Sequence, residues 1–102
     1  VAEYETKILN IHPALLPAFG GKGMYGQHVH QAVIESGVKF TGVTVHLVDQ
    51  NYDTGKILDQ RIVNVDKKDT PDTLAQRVLI QEHDLYWRVI KQYLDETFNA
   101  PS

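Results

Sequence analysis

The chain contains no cysteine, and that absence excludes several kinds of chemistry at once. Without cysteine there is no disulfide framework, no thiolate metal site and no cysteine nucleophile. No apolar run is long enough to cross a bilayer, and no charged-then-apolar leader opens the sequence. Basic residues are also few: ten lysines and arginines against thirteen aspartates and glutamates give a net charge of -3. This balance argues against a nucleic-acid or membrane partner.

What the chain does contain fits one globular domain. Its 102 residues are 42% hydrophobic and 23% charged, a composition typical of folded and not of disordered proteins. The sequence shows no repeat, no low-complexity tract and no linker. We therefore expect one soluble unit with a cytoplasmic location.

Three segments have the pattern of β-strands. Lys7–His12 is apolar on both faces, which is typical of a strand covered on both sides, as in a parallel sheet. Thr41–Val48 alternates and is rich in branched residues, and Lys56–Val65 forms a further strand. The connector Asp49–Gly55 carries turn residues, so the last two strands are predicted to form a hairpin.

Two segments have the pattern of helices. Gln27–Ser36 has apolar residues at helical spacing, and Gly37 follows where a helix stop is expected. The second helix begins with Thr70 as its cap, Pro71 at the favoured first position and Asp72 at the positive end of the dipole. Between the first strand and the first helix, residues 13–26 are rich in proline and glycine and predict a long loop of functional importance.

The second helix carries a misplaced charge. At about 100° per residue its apolar side chains fall in one broad arc, and Glu82 lies near the middle of that arc. A carboxylate there must be paired, hydrogen-bonded or facing a polar ligand, because burying it alone is costly. Arg61 and Lys7 are its candidate ion-pair partners. The predicted arc consists of Leu74, Val78, Leu79, Leu85, Tyr86, Val89 and Tyr93.

An amide and an imidazole stand at the end of the first strand. Asn10 and His12 are two apart on that strand, so their side chains leave the same face. An amide donor beside an imidazole can bind an oxygen that gains negative charge, as acyl transfer requires. Asp53 in the connector could keep the imidazole protonated or relay a proton. The alternative is that all three are ordinary turn residues.

The remaining histidines do not indicate a metal site. His28 and His30 are two apart on a predicted helix, so they do not share a face. With no cysteine available either, we predict no metal ion. His46 shares a strand face with Thr44, where it either lines the same crevice or fills a core position.

Three motifs resemble a known family. "NIHPALLP", "TGVTVHLVDQNYDTG" and "QEH", in that order, resemble the carboxyl half of the folate-dependent formyltransferases. The first motif is shared by the whole superfamily. The His12-Pro13 pair and Gln81-Glu82-His83 are similar more narrowly to the phosphoribosylglycinamide formyltransferases. The resemblance runs from about Lys7 to Leu94.

The resemblance implies a fold and a reaction. The fold is α/β, the carboxyl-terminal part of an open, mostly parallel (Rossmann-like) sheet with a hairpin and a long terminal helix. The reaction is direct transfer of the formyl group of 10-formyltetrahydrofolate to the amine of glycinamide ribonucleotide, with no metal. Asn10 would bind the formyl oxygen, His12 would stabilise the oxyanion, and Asp53 would support His12 and move the proton.

The same resemblance implies the binding residues. The pterin of the folate is expected to lie on the connector, at Val48, Asp49, Gln50, Asn51, Tyr52 and Asp53. The nucleotide is expected to contact Ile11, Pro13 and Glu82, with the Glu82 carboxylate on the ribose hydroxyls. Thr44 and His46 correspond to positions near this crevice.

The chain also departs from the family. Ala14 replaces the usual serine, and the loop from Phe19 to Gly26 is longer than in many members. No glycine-rich phosphate-binding turn precedes Asn10. Residues 1–102 are therefore expected to form a carboxyl-terminal catalytic and folate-binding part without the nucleotide phosphate-binding half. By itself this part is predicted to be inactive and to self-associate through an exposed sheet edge.

Three rival functions resemble the first one in part. A formyltetrahydrofolate hydrolase would use a similar amide, imidazole and carboxylate, but a second histidine would tend to follow His12 and the Gln-Glu-His motif would be absent. A methionyl-tRNA formyltransferase would need a further tRNA-binding domain, and the acidic balance disfavours tRNA. A module that binds folate without transferring a formyl group stays open.

Overall fold

The architecture is a three-stranded sheet with helices packed against it. The structure is a computed structural model that describes residues 8–48 and 56–99, with the backbone alone for Ile8, Val48, Tyr93 and residues 96–99. Its elements, in chain order, are β1 (Ile8–His12), α1 (Gln27–Ser36), β2 (Phe40–Val48), β3 (Ile57–Asn64) and α2 (Pro71–Asn99). The predicted helix over 27–36 and the predicted start of α2 are confirmed. Within the described ranges no helix is long and apolar enough to cross a membrane.

The sheet has the order β1-β2-β3, and both strand pairs are antiparallel. The predicted α/β class, the hairpin and the long terminal helix are confirmed. The expected parallel pairing is not seen in the described part of the chain. The expectation comes from apolar residues at both alternating positions of β1, Ile8 on one side and Leu9 and Ile11 on the other. Burial on both faces produces an apolar run whichever way the neighbouring strand runs.

One face of the sheet packs against both helices. The buried core joins valines of β2 and β3 to the inner faces of α1 and α2. Its members are Ala14, Val29, Val33, Val43, Val45, Val63, Leu74, Val78, Leu85 and Val89. The other face of the sheet is covered by the loop that follows β1. Hydrogen bonds from this loop to Thr44 of β2 hold the two together.

Local signals set the helix ends. The backbone N–H of Gly37 donates to the Ile34 carbonyl at 3.2 Å, with φ at 75°, a left-handed conformation that glycine adopts at little cost. At the other helix, the Thr70 hydroxyl accepts a hydrogen bond from the Thr73 N–H at 3.2 Å, as its role of N-cap requires. The sequence alone was therefore sufficient to place these two ends.

The predicted apolar arc of α2 is correct except at its edge. Leu74, Val78, Leu85 and Val89 are buried, but Leu79 is 47% exposed. Leu79 directly follows Val78, so its side chain is rotated by about 100° around the helix axis and lies off the face that meets the sheet. Tyr86 is half-buried, while the side chain of Tyr93 lies outside the described part.

An arginine fastens the start of α2 to the end of β3. Arg77 donates to both carboxylate oxygens of Asp69, at 3.0 and 2.6 Å, and to the Asn64 carbonyl at 2.6 Å. Asp69 also accepts from the Asp66 N–H and the Thr73 hydroxyl. Burial raises the pKa of Asp69, but these hydrogen bonds outweigh it and hold the pKa below the ordinary 3.8. The ionised carboxyl thus stabilises the fold.

We expect Arg77→Met to lower the free energy of unfolding at pH 7 by about 1.5–3 kcal/mol, because charged hydrogen bonds are lost. Asp69 has a lowered pKa in the folded state, so its contribution is full above the unfolded pKa and disappears as the pH falls through the folded one. The difference between wild type and variant should therefore shrink below about pH 4. Urea unfolding at pH 7, 5 and 3 measures it.

The matched control is Arg88→Met. Arg88 pairs with Asp84 on an exposed turn of α2, where solvent screens the interaction, so stability should change little. Equal losses in the two arginine variants, or a difference that persists in acid, would contradict the role given to Arg77.

Candidate active site

The register of β1 on β2 sets four polar side chains on one face of the sheet. Asn10 lies opposite His46, and His12 lies opposite Thr44. The Asn10 amide nitrogen donates to Nε2 of His46 at 3.2 Å, and His46 Nδ1 lies 3.3 Å from the Leu47 carbonyl. Because the amide donates, this nitrogen of His46 is the acceptor. The histidine therefore fixes the orientation of the Asn10 amide.

His12 is held by the loop that follows it. The imidazole is buried, and its Nε2 lies 2.8 Å from the Phe19 carbonyl oxygen. A carbonyl can only accept, so Nε2 carries the hydrogen of this bond. That leaves Nδ1 as the ring nitrogen available to a ligand.

The Thr44 hydroxyl ties this loop to the sheet. It donates to the Ala14 carbonyl at 2.7 Å and accepts from the Leu16 N–H at 3.1 Å and from the Gln60 amide at 3.0 Å. Gln60 donates as well to the Leu16 carbonyl at 3.1 Å. One buried hydroxyl thus binds the backbone of the turn after His12 at two positions, Ala14 and Leu16.

Sequence reasoning missed Gln60. The only available signal was pairing: Gln60 lies opposite Thr44 in the hairpin, and that register is not visible in the sequence itself.

A cavity of about 430 Å³ lies at the end of β1. It is bounded by β1, the following loop, α1 and α2, and it contains the predicted Asn10, Ile11, His12, Pro13 and Glu82 together. The other lining residues are Gly21, Met24, Tyr25, Gly26 and His30. The structure therefore brings the predicted catalytic pair and the predicted substrate residues into one hollow.

Some predicted residues lie outside the described part of the chain. They are Asp53 and the connector positions Asp49, Gln50, Asn51 and Tyr52, while Val48 is described in its backbone as the last residue of β2. Their roles stay predictions. Among the described residues, no group of three or more histidine, aspartate or glutamate side chains could hold a metal ion.

Glu82 extends from α2 into this cavity. It is half-buried, and burial raises its pKa above the ordinary 4.5, with a smaller opposing effect from His83. Of the two candidate ion-pair partners, Arg61 bonds Gln81 and Asp84 instead, and Lys7 lies outside the described residues. No described residue hydrogen-bonds the Glu82 carboxylate, which lines the cavity.

A larger hollow of about 570 Å³ runs along β3 and α2, and it contains none of the predicted site residues. Its cation, Arg77, is already bound to Asp69 and to the Asn64 carbonyl. Its apolar wall includes the exposed Ile62 and Ile80. The smaller cavity, which holds the amide, the imidazole and the carboxylate, is the candidate active site.

His30 is a site residue that sequence reasoning did not select. It is 5% exposed, lines the cavity from α1, and its Nδ1 is buried with no hydrogen-bond partner among the described residues. Burial lowers its pKa from the ordinary 6.5. The sequence signal for His30 was its position four residues before Ile34, which places both side chains on the inner side of α1.

Comparisons with known proteins agree with the motifs. The formyl transferase family matches residues 1–90. A chloroplastic phosphoribosylglycinamide formyltransferase from Vigna unguiculata is 55% identical over 96 residues, which is 94% of this chain and 31% of that protein. The crystal structure of a phosphoribosylglycinamide formyltransferase from Bacillus halodurans superposes with a TM-score of 0.80 at 39% identity, over 97% of this chain and 48% of that one.

A formyltetrahydrofolate deformylase from Pseudomonas syringae also matches in structure. Its TM-score is 0.79 at 27% identity, over 93% of this chain and 30% of the deformylase. The chain thus spans less than half the length of each of these three relatives.

Two threonines of β2 give a matched test of the loop attachment. Thr44→Val should lower the free energy of unfolding by about 1–3 kcal/mol, since it leaves buried partners in the loop unsatisfied. Thr41→Val should be neutral or stabilising, because the Thr41 hydroxyl is buried without a partner among the described residues. Urea unfolding and hydrogen exchange at the Leu16 N–H measure both. Similar effects of the two variants would show that the hydroxyl of Thr44 does not hold the loop.

Proposed function

The chain belongs to the formyl transferase family, and from that premise we propose that it transfers the formyl group of 10-formyltetrahydrofolate to the amine of glycinamide ribonucleotide, a step of purine biosynthesis. The observation that carries the proposal is the cavity in which Asn10, His12 and Glu82 meet. The names of the Vigna and Bacillus relatives support the choice of acceptor. Within this proposal, residues 1–102 form the catalytic and folate-binding part of the domain.

Asn10 and His12 act on the formyl oxygen. The amine nitrogen of the nucleotide bonds to the formyl carbon, and the carbonyl electrons move onto the oxygen. Hydrogen-bond donors stabilise that oxyanion. Asn10 has a second amide hydrogen to give, since the first goes to His46. His12 can donate only through Nδ1, because Nε2–H is bound to Phe19. In this proposal the ring therefore donates from both of its nitrogens.

Asp53 provides the negative charge that an imidazolium needs. A carboxylate near His12 favours the cationic form. As the tetrahedral intermediate collapses, the bond from the formyl carbon to the folate nitrogen breaks. The amine loses one proton and the folate nitrogen gains one, and we assign this relay to Asp53 through water. The connector positions 48–53 are assigned to the pterin.

Glu82 fits the sugar of the nucleotide. Its carboxylate is half-buried in the cavity with no hydrogen-bond partner among the described residues, and it can accept hydrogen bonds from two hydroxyls. Ile11 and Pro13 form the neighbouring wall. The proposal involves no metal ion, nucleic acid or membrane. The cytoplasmic location stays a prediction from composition, since the Vigna relative is named chloroplastic.

Formyl transfer should be assayed in a chimera in which these 102 residues replace the matching part of the Bacillus halodurans protein. We expect transfer that depends on glycinamide ribonucleotide. Asn10→Ala should lower kcat by about 10²–10³-fold, as for loss of an oxyanion donor. Asp53→Asn should lower kcat, and Glu82→Gln should raise KM for the nucleotide. The 102-residue chain alone should show little or no transfer.

Two exposed positions serve as controls, Asn64→Ala and Glu35→Gln, which lie outside the cavity and should leave the kinetics unchanged. Release of formate without the nucleotide would favour the hydrolase. Folate binding with no transfer in the chimera would favour a binding module. Robust transfer by the 102-residue chain alone would contradict the proposal that residues 1–102 form one part of the catalytic domain.

We also propose that the 102-residue chain self-associates. Among the described residues, β1 pairs with β2 along one of its edges, and no strand pairs with its other edge. An unpaired edge is a template for another strand. Sedimentation should show a concentration-dependent dimer, and the single tryptophan, Trp87, which is 67% exposed, offers a fluorescence signal. A monomer at all concentrations would contradict this.

A further inference from the structure

The cavity wall formed by α1 contains a buried imidazole that the proposed reaction does not use. His30 is 5% exposed and lines the cavity that holds Asn10, His12 and Glu82. Its neighbours Val29 and Val33 fill the core. A phenylalanine or leucine could serve packing equally well at such a position. The choice of histidine therefore calls for a polar partner.

That partner is not in the described part of the protein. Nδ1 of His30 is buried and accepts or donates no hydrogen bond there. An unsatisfied buried polar atom is rare in native structures because its lost hydration is not repaid. The cavity that His30 lines is large enough to hold a ligand, and because Nδ1 itself has no accessible surface, the ring nitrogen that a ligand group could bond is Nε2.

The chemistry of the cavity narrows the kind of group. Burial lowers the pKa of His30, so near neutral pH its ring is uncharged and has one donor and one acceptor nitrogen. Glu82 shares the cavity, and when it is ionised its carboxylate can only accept hydrogen bonds. A phosphate would place its charge near this carboxylate in a poorly solvated space, which is unfavourable. A sugar hydroxyl both donates and accepts, and it therefore suits both side chains.

We infer that His30 is a substrate-binding residue, which hydrogen-bonds a hydroxyl of the nucleotide sugar in the cavity it shares with Glu82. The inference rests on the proposed function and extends it, because it places a sugar contact on α1 as well as on α2. The sugar is then held between two helices, while the reacting groups are held by β1.

The direct test is nuclear magnetic resonance of the 102-residue chain with labelled histidines. Glycinamide ribonucleotide is titrated to millimolar concentration, and ribose 5-phosphate and glycinamide are titrated separately. We expect the ring resonances of His30 to shift with the nucleotide and with ribose 5-phosphate, but not with glycinamide. His12 should shift with the nucleotide.

Variants separate binding from packing. His30→Phe should weaken nucleotide binding about tenfold while the unfolding midpoint in urea stays unchanged or rises, because it removes an unsatisfied polar atom. His30→Gln should retain part of the affinity. The control is His28→Gln, on the same helix, where the imidazole is exposed, lies edge-on to Tyr25 and does not line the cavity.

The outcomes distinguish the two proposals. A shift at His12 without one at His30, or full affinity in His30→Phe, would overturn the role of His30 and leave the proposed function standing. No shift at either histidine would count against both. A His30→Phe protein that loses stability and affinity together would make His30 a packing residue.

Discussion

Five residue pairs join β1 to β2, and two of them, Asn10 with His46 and His12 with Thr44, decide what the candidate site contains. Side chains alternate between the faces of a strand, so a shift of one residue would exchange these faces. Asn10 and His12 would then point at the helices, and Ile11 would point at the loop. Leu9 and Ile11, which pack against the core, oppose that shift, because it would bring them out of the helix-covered face. Packing of the core thereby sets the geometry of the polar face.

The polar face in turn organises the loop after β1. A chain that turns away from a strand end leaves backbone groups that need partners. Here the Thr44 hydroxyl and the Gln60 amide supply partners to Ala14 and Leu16, and the Phe19 carbonyl accepts from His12. The loop and the imidazole therefore hold each other in place. The hydrogen bond from His12 Nε2 to the Phe19 carbonyl also fixes which of its nitrogens a ligand can meet.

Local patterns were sufficient for the helices and for the polar strand end. Gly37 and Thr70 act within a few residues, so their consequences were predictable, as was the common side of Asn10 and His12. The direction of β1 against β2 and the contact of Gln60 with Thr44 depend on pairing between distant segments, which no local pattern contains. The site role of His30 was missed for a related reason: its meaning depends on Glu82, 52 positions later along the printed sequence and on another helix.

The elements proposed to bind the formyl oxygen differ from those proposed to bind the nucleotide, and this difference bears on which molecule accepts the formyl group. The deformylase from Pseudomonas syringae superposes almost as well as the Bacillus halodurans formyltransferase, with TM-scores of 0.79 and 0.80. Backbone similarity at this level cannot separate water from an amine as the acceptor. A strand amide and imidazole that bind the formyl oxygen serve either reaction, because the oxyanion is common to both. In the proposed reaction the distinguishing groups are those that hold the nucleotide, and the polar ones among them, Glu82 and His30, lie on the helices. Within this proposal Glu82 and His30, which line the cavity from α2 and α1, contribute to binding of the nucleotide and not to the chemistry at the formyl group.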